Sequence, residues 1–294
     1  MYYLILSNQG IKENVIEKAI PDGRLELTFQ LDPDGKTYLA KQYFNYPFHV
    51  CRAQYMDKAQ PDMATMYLQS CSGGIFSGDR LETKINVKQD ARAHVTTQAS
   101  TISHRMQQGS ATQNIEINVD SGALIEYLPE CSILFPEAKL SSSLVVTRQS
   151  NCSIIVADSF LNHDPNGKCE QFSWLKNELI IRNSDGKVDA IDRFFVTGEQ
   201  FRCGEISGFN AFTVHGTFAV ISDMIKDHVL LDALRSTLNS RPDIYSGASR
   251  LPNNAGCLVR YMAQDGALAK SFATDLWFKS REILTGHPPD HRRK

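Results

Sequence analysis

Hydrophobic and polar positions alternate along most of the first two thirds of the chain. In LETKINVK, residues 81–88, Leu81, Thr83, Ile85 and Val87 fall on one face and Glu82, Lys84, Asn86 and Lys88 on the other. A period of two is that of a β-strand, whose side chains point alternately to opposite sides of a sheet. The unit strand, polar turn, strand occurs five times. It is found in LELTFQLDPDGKTYLAKQYF (turn at 32–35), LETKINVKQDARAHVTTQA, QNIEINVDSGALIEYLPE (turn at 120–122), SLVVTRQSNCSIIVADSF (turn at 149–151) and ELIIRNSDGKVDAIDRFFV (turn at 184–186). The second to fourth copies follow at intervals of about 30 residues, the range in which one supersecondary unit stacks on the next and shares its core. Stacked or wrapped sheets are expected.

A helical period appears only late. Residues 227–239, DHVLLDALRSTLN, place Val229, Leu230, Ala233, Leu234 and Leu238 on one stripe, with Asp227 as cap. A second helix begins near Asp265, aligns Leu268, Phe272, Leu276 and Ile283, and stops at Gly286 ahead of Pro288. The segment between them, RPDIYSGASRLPNNAGC, reads as a long surface loop. No linker divides the chain. One domain over 1–294 is expected, β-rich in 25–222, helix-containing in 223–286, with a flexible tail at 287–294.

Composition narrows the function. A chain of 294 residues is long enough to bury its own core without disulfides or a structural metal. Lys and Arg number 31 against 33 Asp and Glu, so no basic field exists to gather phosphates, and nucleic acid is not an expected partner. Seven cysteines, an odd number with no C-x-x-C pair, fit a reducing compartment better than a disulfide framework. The only apolar run near the start is residues 2–6, and no run approaches the ~20 residues that cross a bilayer. No secretory signal and no membrane partner are expected, and the cytoplasm is the expected location.

The most conspicuous local stretch is SCSGGIFSGDR, residues 70–80. Gly73 and Gly78 have the outer spacing of a phosphate loop, but Asp79 stands where that loop needs Lys, and a strand follows instead of a helix. Gly73, Gly74 and Gly78 are therefore expected to build a turn between strands, with the Asp79 carboxylate capping its loose amides. His94 and His104 bracket the polar run VTTQASTIS. No local spacing joins them to Cys71 as metal ligands, and they read as polar loop histidines. His163 and Cys169 lie across a turn, and Pro288 and Pro289 rule out a metal-binding helix for His287 and His291. No nucleophile elbow, zinc-protease motif or cysteine-enzyme context occurs, so no catalytic constellation is found and an enzyme is not expected.

Four segments in order, SGGIFSGDRLETKINV, HVTTQASTISHR, GALIEYLPECSILFPEA and GCLVRYMAQD, resemble the urease accessory protein UreD (UreH) family, and the resemblance runs over about residues 25–285. It implies a non-enzymatic scaffold chaperone, mainly β, with strand-turn-strand units wound in a right-handed, layered β-helical course and a small C-terminal helical part. It also implies binding to UreF, which recruits the GTPase UreG, and docking on apo-urease so that nickel reaches the active site. No cofactor would be tightly bound, no fixed metal site is assigned, and nickel would be in transit through an internal passage. Residues 162–170 and 287–294 depart from the family pattern and take no role from it.

Within that frame Asp79, Thr96, Thr97, Gln98, His104, Glu126 and Cys131 are candidate polar lining for a passage, since weak ligands let a cation move on. Phe272, Leu276, Trp277 and Phe278, spread around more than one stripe of the last helix, are candidates for partner binding. A different class of function, a β-solenoid-like carbohydrate-binding protein or hydrolase with an aromatic or carboxylate groove, is the alternative.

Overall fold

The computed structural model describes residues 22–202 and 212–290. The apolar run at 2–6 and His291 lie outside the described residues. One seven-stranded sheet contains β1 (Gly23–Leu31), β2 (Thr37–Phe44), β5 (Arg80–Val87), β8 (Ala111–Val119), β11 (Lys139–Arg148), β13 (Trp174–Asn183) and β14 (Val188–Thr197). Its order is β14-β13-β11-β8-β5-β1-β2. A ten-stranded sheet contains β3 (Phe48–Val50), β4 (Ala64–Ser70), β6 (Arg92–Thr97), β7 (Ile102–Ser103), β9 (Leu124–Tyr127), β10 (Ser132–Leu134), β12 (Ser153–Asn162), β15 (Val214–Ser222), β16 (Tyr245–Arg250) and β17 (Cys257–Ala263). Its main path runs β16-β17-β15-β12-β9-β6-β4-β3, with β10 joining β12 to β7.

From β5 to β13 the chain passes back and forth between the sheets, and each strand lies parallel on the one a turn earlier. β5, β8, β11 and β13 stack in this way in the first sheet, and β4, β6, β9 and β12 in the second. The protein is mainly β, a β-solenoid of about four turns followed by helices.

The five strand-turn-strand units resolve into two kinds. The first and fifth are antiparallel hairpins, β1–β2 and β13–β14, and they form the two edges of the seven-stranded sheet. The middle three are corners at which the chain leaves one sheet for the other. Two corners close with a backbone bond, Ala91 N to Lys88 O and Ala123 N to Asp120 O, and the third with the Cys152 thiol donating to Gln149 O. Each also has its third residue at positive φ: Asp90, Gly122 and Asn151. These residue types reach the left-handed region at least cost. At Gly122 a Cβ would stand 1.9 Å from the Asp90 carboxylate of the corner stacked against it, so only glycine fits.

Alternation sends one set of side chains into the space between the sheets. A cluster of Leu25, Ile85, Ile117, Val146, Ile125 and Ile154 fills its centre, and a second cluster of Leu81, Ala111, Leu140, Leu175 and Phe160 lies towards one end. The outer face of the ten-stranded sheet is covered by α2 (Asp227–Asn239) and α3 (Gly266–Thr285) over Ile155, Phe218, Val259 and Tyr261. A short α1 (Gly198–Arg202) follows β14. The Asp265 carboxylate caps α3 by accepting from Leu268 N at 2.8 Å, and Gly286 ends it at φ 83°. No helix among the described residues is long and apolar enough to cross a membrane.

Several expectations need correction. Asp227 is not the cap of α2. Lys226 occupies that position without a side-chain bond, and Asp227 lies in the first turn, where its charge favours the helix dipole. The helix buries Leu230, Leu231 and Leu234, whereas Val229 remains 45% exposed. The supposed loop before Cys257 contains β16, an edge strand of mostly exposed residues whose sequence has no alternation to betray it. The first residues of the supposed flexible tail are tied down, with Pro289 buried and Asp290 accepting from Lys58 N at 2.7 Å. Residues 291–294 lie outside the described residues.

Candidate functional site

On β8, β11 and β13 the inward side chains form rows that cross the seven-stranded sheet in register. Ala111, Leu140 and Leu175 make one apolar row, and Ile115, Leu144 and Leu179 make another. They belong to two different core clusters. The row between them is Gln113, Ser142 and Asn177, each paired in register with the next. A polar strip thus runs along the solenoid axis through successive turns.

The ten-stranded sheet answers it from the opposite side. Asp158 on β12 accepts from Asn177 Nδ2 at 2.6 Å, bridging the sheets, and its register partner on β15 is Thr217. The Thr217 hydroxyl is buried and has no hydrogen-bond partner. Burial raises the Asp158 carboxyl above its usual range, and the bond from Asn177 opposes this only in part. These three residues and Asp192 line a small void of about 20 Å³, room for roughly one water molecule. At the other end the strip opens into a cleft of about 370 Å³, whose lining includes Gly73, Gly74, Thr83, Thr97, Gln98 and Gln113. The chemistry offered along this line is that of amide, hydroxyl and carboxyl oxygens, hard and individually weak ligands for a cation.

Of the residues singled out from sequence, Thr97 and Gln98 reach this cleft, together with the turn glycines Gly73 and Gly74. The Thr97 hydroxyl also accepts from Glu130 N, and the Gln98 side chain bonds Gln69. The others point elsewhere. Asp79 caps the turn as expected, accepting from Phe76 N at 2.8 Å. Gly78 sits in the same turn at φ 91°. Thr96 is buried on the opposite face of β6 and donates to Leu128 O at 2.6 Å. His104 donates from Nε2 to the Gly73 carbonyl at 3.0 Å and stacks on Phe76. It therefore braces the glycine turn. Gly74 lies beneath it at φ 145°, where a Cβ would come within 2.2 Å of the Ile102 carbonyl. Burial pushes the Cys131 thiol up to about 12, so it stays protonated.

Glu126 belongs to a separate buried assembly under α3. It is fully buried, accepts from Arg281 at 2.5 Å and contacts His94 Nδ1 at 2.7 Å. Arg281 also donates to Asp57 at 2.8 Å. Burial alone would raise the Glu126 carboxyl, but the Arg281 charge and the bonds from His94 and Arg281 outweigh it and hold the group down at about 2. His94 is buried and not a loop histidine.

The proposed partner face on α3 is also corrected. Phe272 and Leu276 are fully buried, Trp277 is 8% exposed, and Phe278 packs against the same cluster. Phe272, Leu276 and Trp277 are used by the packing beneath the helix, and Phe278 is half-buried. Among the described residues no cluster of three or more His, Cys, Asp or Glu is placed to hold a metal ion. Gln113, Ser142, Asn177 and Asp158 were missed from sequence. Their readable signal was a polar residue at the inward phase of an alternating strand.

A sequence model of the UreD urease accessory protein family matches residues 21–294. Urease accessory protein UreD 1 of Pseudomonas syringae pv. tomato is 35% identical over 269 residues, covering 91% of this chain and 94% of that protein. Urease accessory protein UreD 1 of Methylorubrum extorquens is 34% identical over 296 residues, covering 99% and 100%. Urease accessory protein UreD 3 of a Bradyrhizobium species is 35% identical over 248 residues, covering 83% and 85%.

Proposed function

The chain belongs to the UreD urease accessory protein family, and on that basis we propose that it is a non-catalytic cytoplasmic scaffold through which nickel travels to apo-urease. UreF and UreG are the partners in this reading, with nickel as cargo and not as a resident cofactor. The observation that carries the passage is the polar row Gln113, Ser142 and Asn177, which separates two apolar clusters and opens into the cleft at the glycine turn. A cation moving along it would exchange one oxygen ligand for the next, and ligands of this kind release what they hold. Asp79 and His104 then act by shaping the mouth, since both are engaged in bonds within the turn.

The test is co-expression of urease subunits with UreF, UreG and this chain, either native or carrying Gln113→Leu with Ser142→Val. Lower nickel content and lower ureolysis are expected with the variant, with assembly of the complex unchanged. Full nickel loading by an assembled variant would refute the passage, and full loading without the chain would refute the scaffold role.

A further inference from the structure

The polar strip ends on an ion pair. On the ten-stranded sheet Asp158, Thr217 and Arg260 are register partners on β12, β15 and β17. Of the two residues that flank Arg260 at the same inward phase of β17, Leu258 belongs to one apolar cluster and Met262 to the other. This row therefore lies at the depth of Gln113, Ser142 and Asn177 on the opposite sheet, and it finishes on a cation. The seven-stranded sheet supplies the counter-charge from β14, where Asp192 is the register partner of the inward Leu179 and accepts a bond from Arg260.

The pair bridges the gap between the two sheets. On one side of it the rings of Phe194 and His215 stand 5.0 Å apart, and on the other Asn253, just ahead of β17, donates to Asp189 O at 2.7 Å. Burial and the Arg260 charge push His215 down to about 4, so it adds no charge at neutral pH. Asp192 lines the void shared by Asp158, Asn177 and Thr217, and the buried Thr217 hydroxyl has no hydrogen-bond partner there. Water lies on the far side, since the Arg260 side chain is 45% exposed and that of Asp192 14%. An ion pair this open to solvent is cheap to break.

We propose that the strip has a second mouth between β14 and β17, and that Arg260 gates it as a tethered cation which an arriving divalent cation displaces from Asp192. This rests on the transit reading given above. A doubly charged ion in the void competes with the guanidinium for the same carboxylate and repels it, and the guanidinium has water to move into. The ion leaves past the freed Asp192, and Arg260 closes behind it. A neutral solute does not repel the guanidinium, so the mouth stays shut to it.

Two measurements on the full chain decide it. The first is nitrogen-15 NMR of the arginine side chains, with Arg260→Lys identifying the resonance and zinc as a diamagnetic divalent probe. Zinc is expected to speed the exchange of the Arg260 guanidinium protons with water, and to leave unchanged those of Arg241, whose ion pairs with Asp243 and Asp275 lie on the surface. The second is reconstituted loading of apo-urease with UreF and UreG. Arg260→Met is expected to raise the initial rate of nickel incorporation by about two- to fivefold, the span by which an exposed ion pair biases an equilibrium. The gain should vanish when Gln113→Leu and Ser142→Val are also present. A pair that serves only to hold the sheets together predicts the opposite sign. Guanidinium exchange that ignores zinc, or a rate in assembled Arg260→Met at or below native, overturns the gate. Full loading by Gln113→Leu with Ser142→Val strikes the passage itself and the gate with it, a result distinct from a native-like rate in Arg260→Met over a passage that those two substitutions do block.

Discussion

Replacing Arg281 by Met tests what holds the C-terminal helix in place. The guanidinium is fully buried and donates to both oxygens of Glu126 and to Asp57. Met keeps most of the volume but removes the guanidinium that Glu126 and Asp57 share in the core, and breaking a buried ion pair from one side costs about 3–5 kcal/mol. The net hold of the fold on the ionised Glu126, to which Arg281 and His94 both contribute against burial, is of similar size. Glu126 is held at about 2 against an ordinary value of 4.5, and at about 1.4 kcal/mol per unit this is about 3 kcal/mol at neutral pH. Because the folded value is depressed, the contribution is complete above the unfolded value and disappears as pH falls from about 4.5 towards about 2. For a chain of this length the midpoint of thermal unfolding should drop by about 5–9 °C. The acid limb of the stability curve should flatten between those two pH values. Calorimetry at neutral pH and a series of denaturant titrations down the acid range measure both. Replacing Arg281, Glu126 and Asp57 together by apolar residues should recover most of the loss, since the penalty lies in the stranded charges and not in the missing attraction. A single Arg281→Met variant within about 1 kcal/mol of native, with its acid limb unchanged, would refute the account.

Three further outcomes are expected. Gly74→Ala should destabilise the glycine turn by about 1–3 kcal/mol from its backbone conformation alone, with more from the clash against the Ile102 carbonyl, and thermal unfolding will read it. Asp265→Ala removes the cap of α3 and should cost about 1 kcal/mol, seen first as faster exchange of the amides at 266–269. Maleimide at neutral pH should label the exposed Cys51, Cys71 and Cys169 and spare Cys131, Cys152 and Cys257, whose thiols burial pushes up to about 12. Peptide mass spectrometry distinguishes the two sets.

The strands were legible because one face of each is buried, and that imposes a period of two. Which turns fold a strand back and which send it across to the other sheet was not legible. Gly35 and Gly186 in the hairpins and Gly122 in a corner all sit at positive φ, so local sequence says turn in either case and the destination depends on stacking. β15 escaped notice because it is buried along its whole length between the core and the helices, and a strand buried on both faces has no alternation. The α3 stripe was legible, but its occupancy was not. Phe272, Leu276 and Trp277 could have faced a partner until β12, β15 and β17 were found beneath them. Arg281 on that same stripe was a hint of a buried charge, yet its partners are 155 and 224 residues away, beyond any local pattern.

The polar row poses a thermodynamic question that the fold does not answer. Gln113 and Ser142 occupy inward positions flanked by leucine, isoleucine and alanine, and nothing in the solenoid winding requires them to be polar. Apolar residues there would let the two clusters on either side merge into one core, and, both positions being half-buried, would remove part of the cost of keeping polar atoms there. Gln113→Leu with Ser142→Val should therefore leave the midpoint of thermal unfolding unchanged or raise it, while Asn177 and Asp158 keep their bond. The same variant is expected to load less nickel into urease. Those opposite signs separate a row kept for transit from a row kept for packing, because a structural role predicts that stability and loading fall together. Proteins retain locally unfavourable residues where activity needs them, and here polar residues repeat at one depth in three successive strands, the pattern that the proposed transit would need.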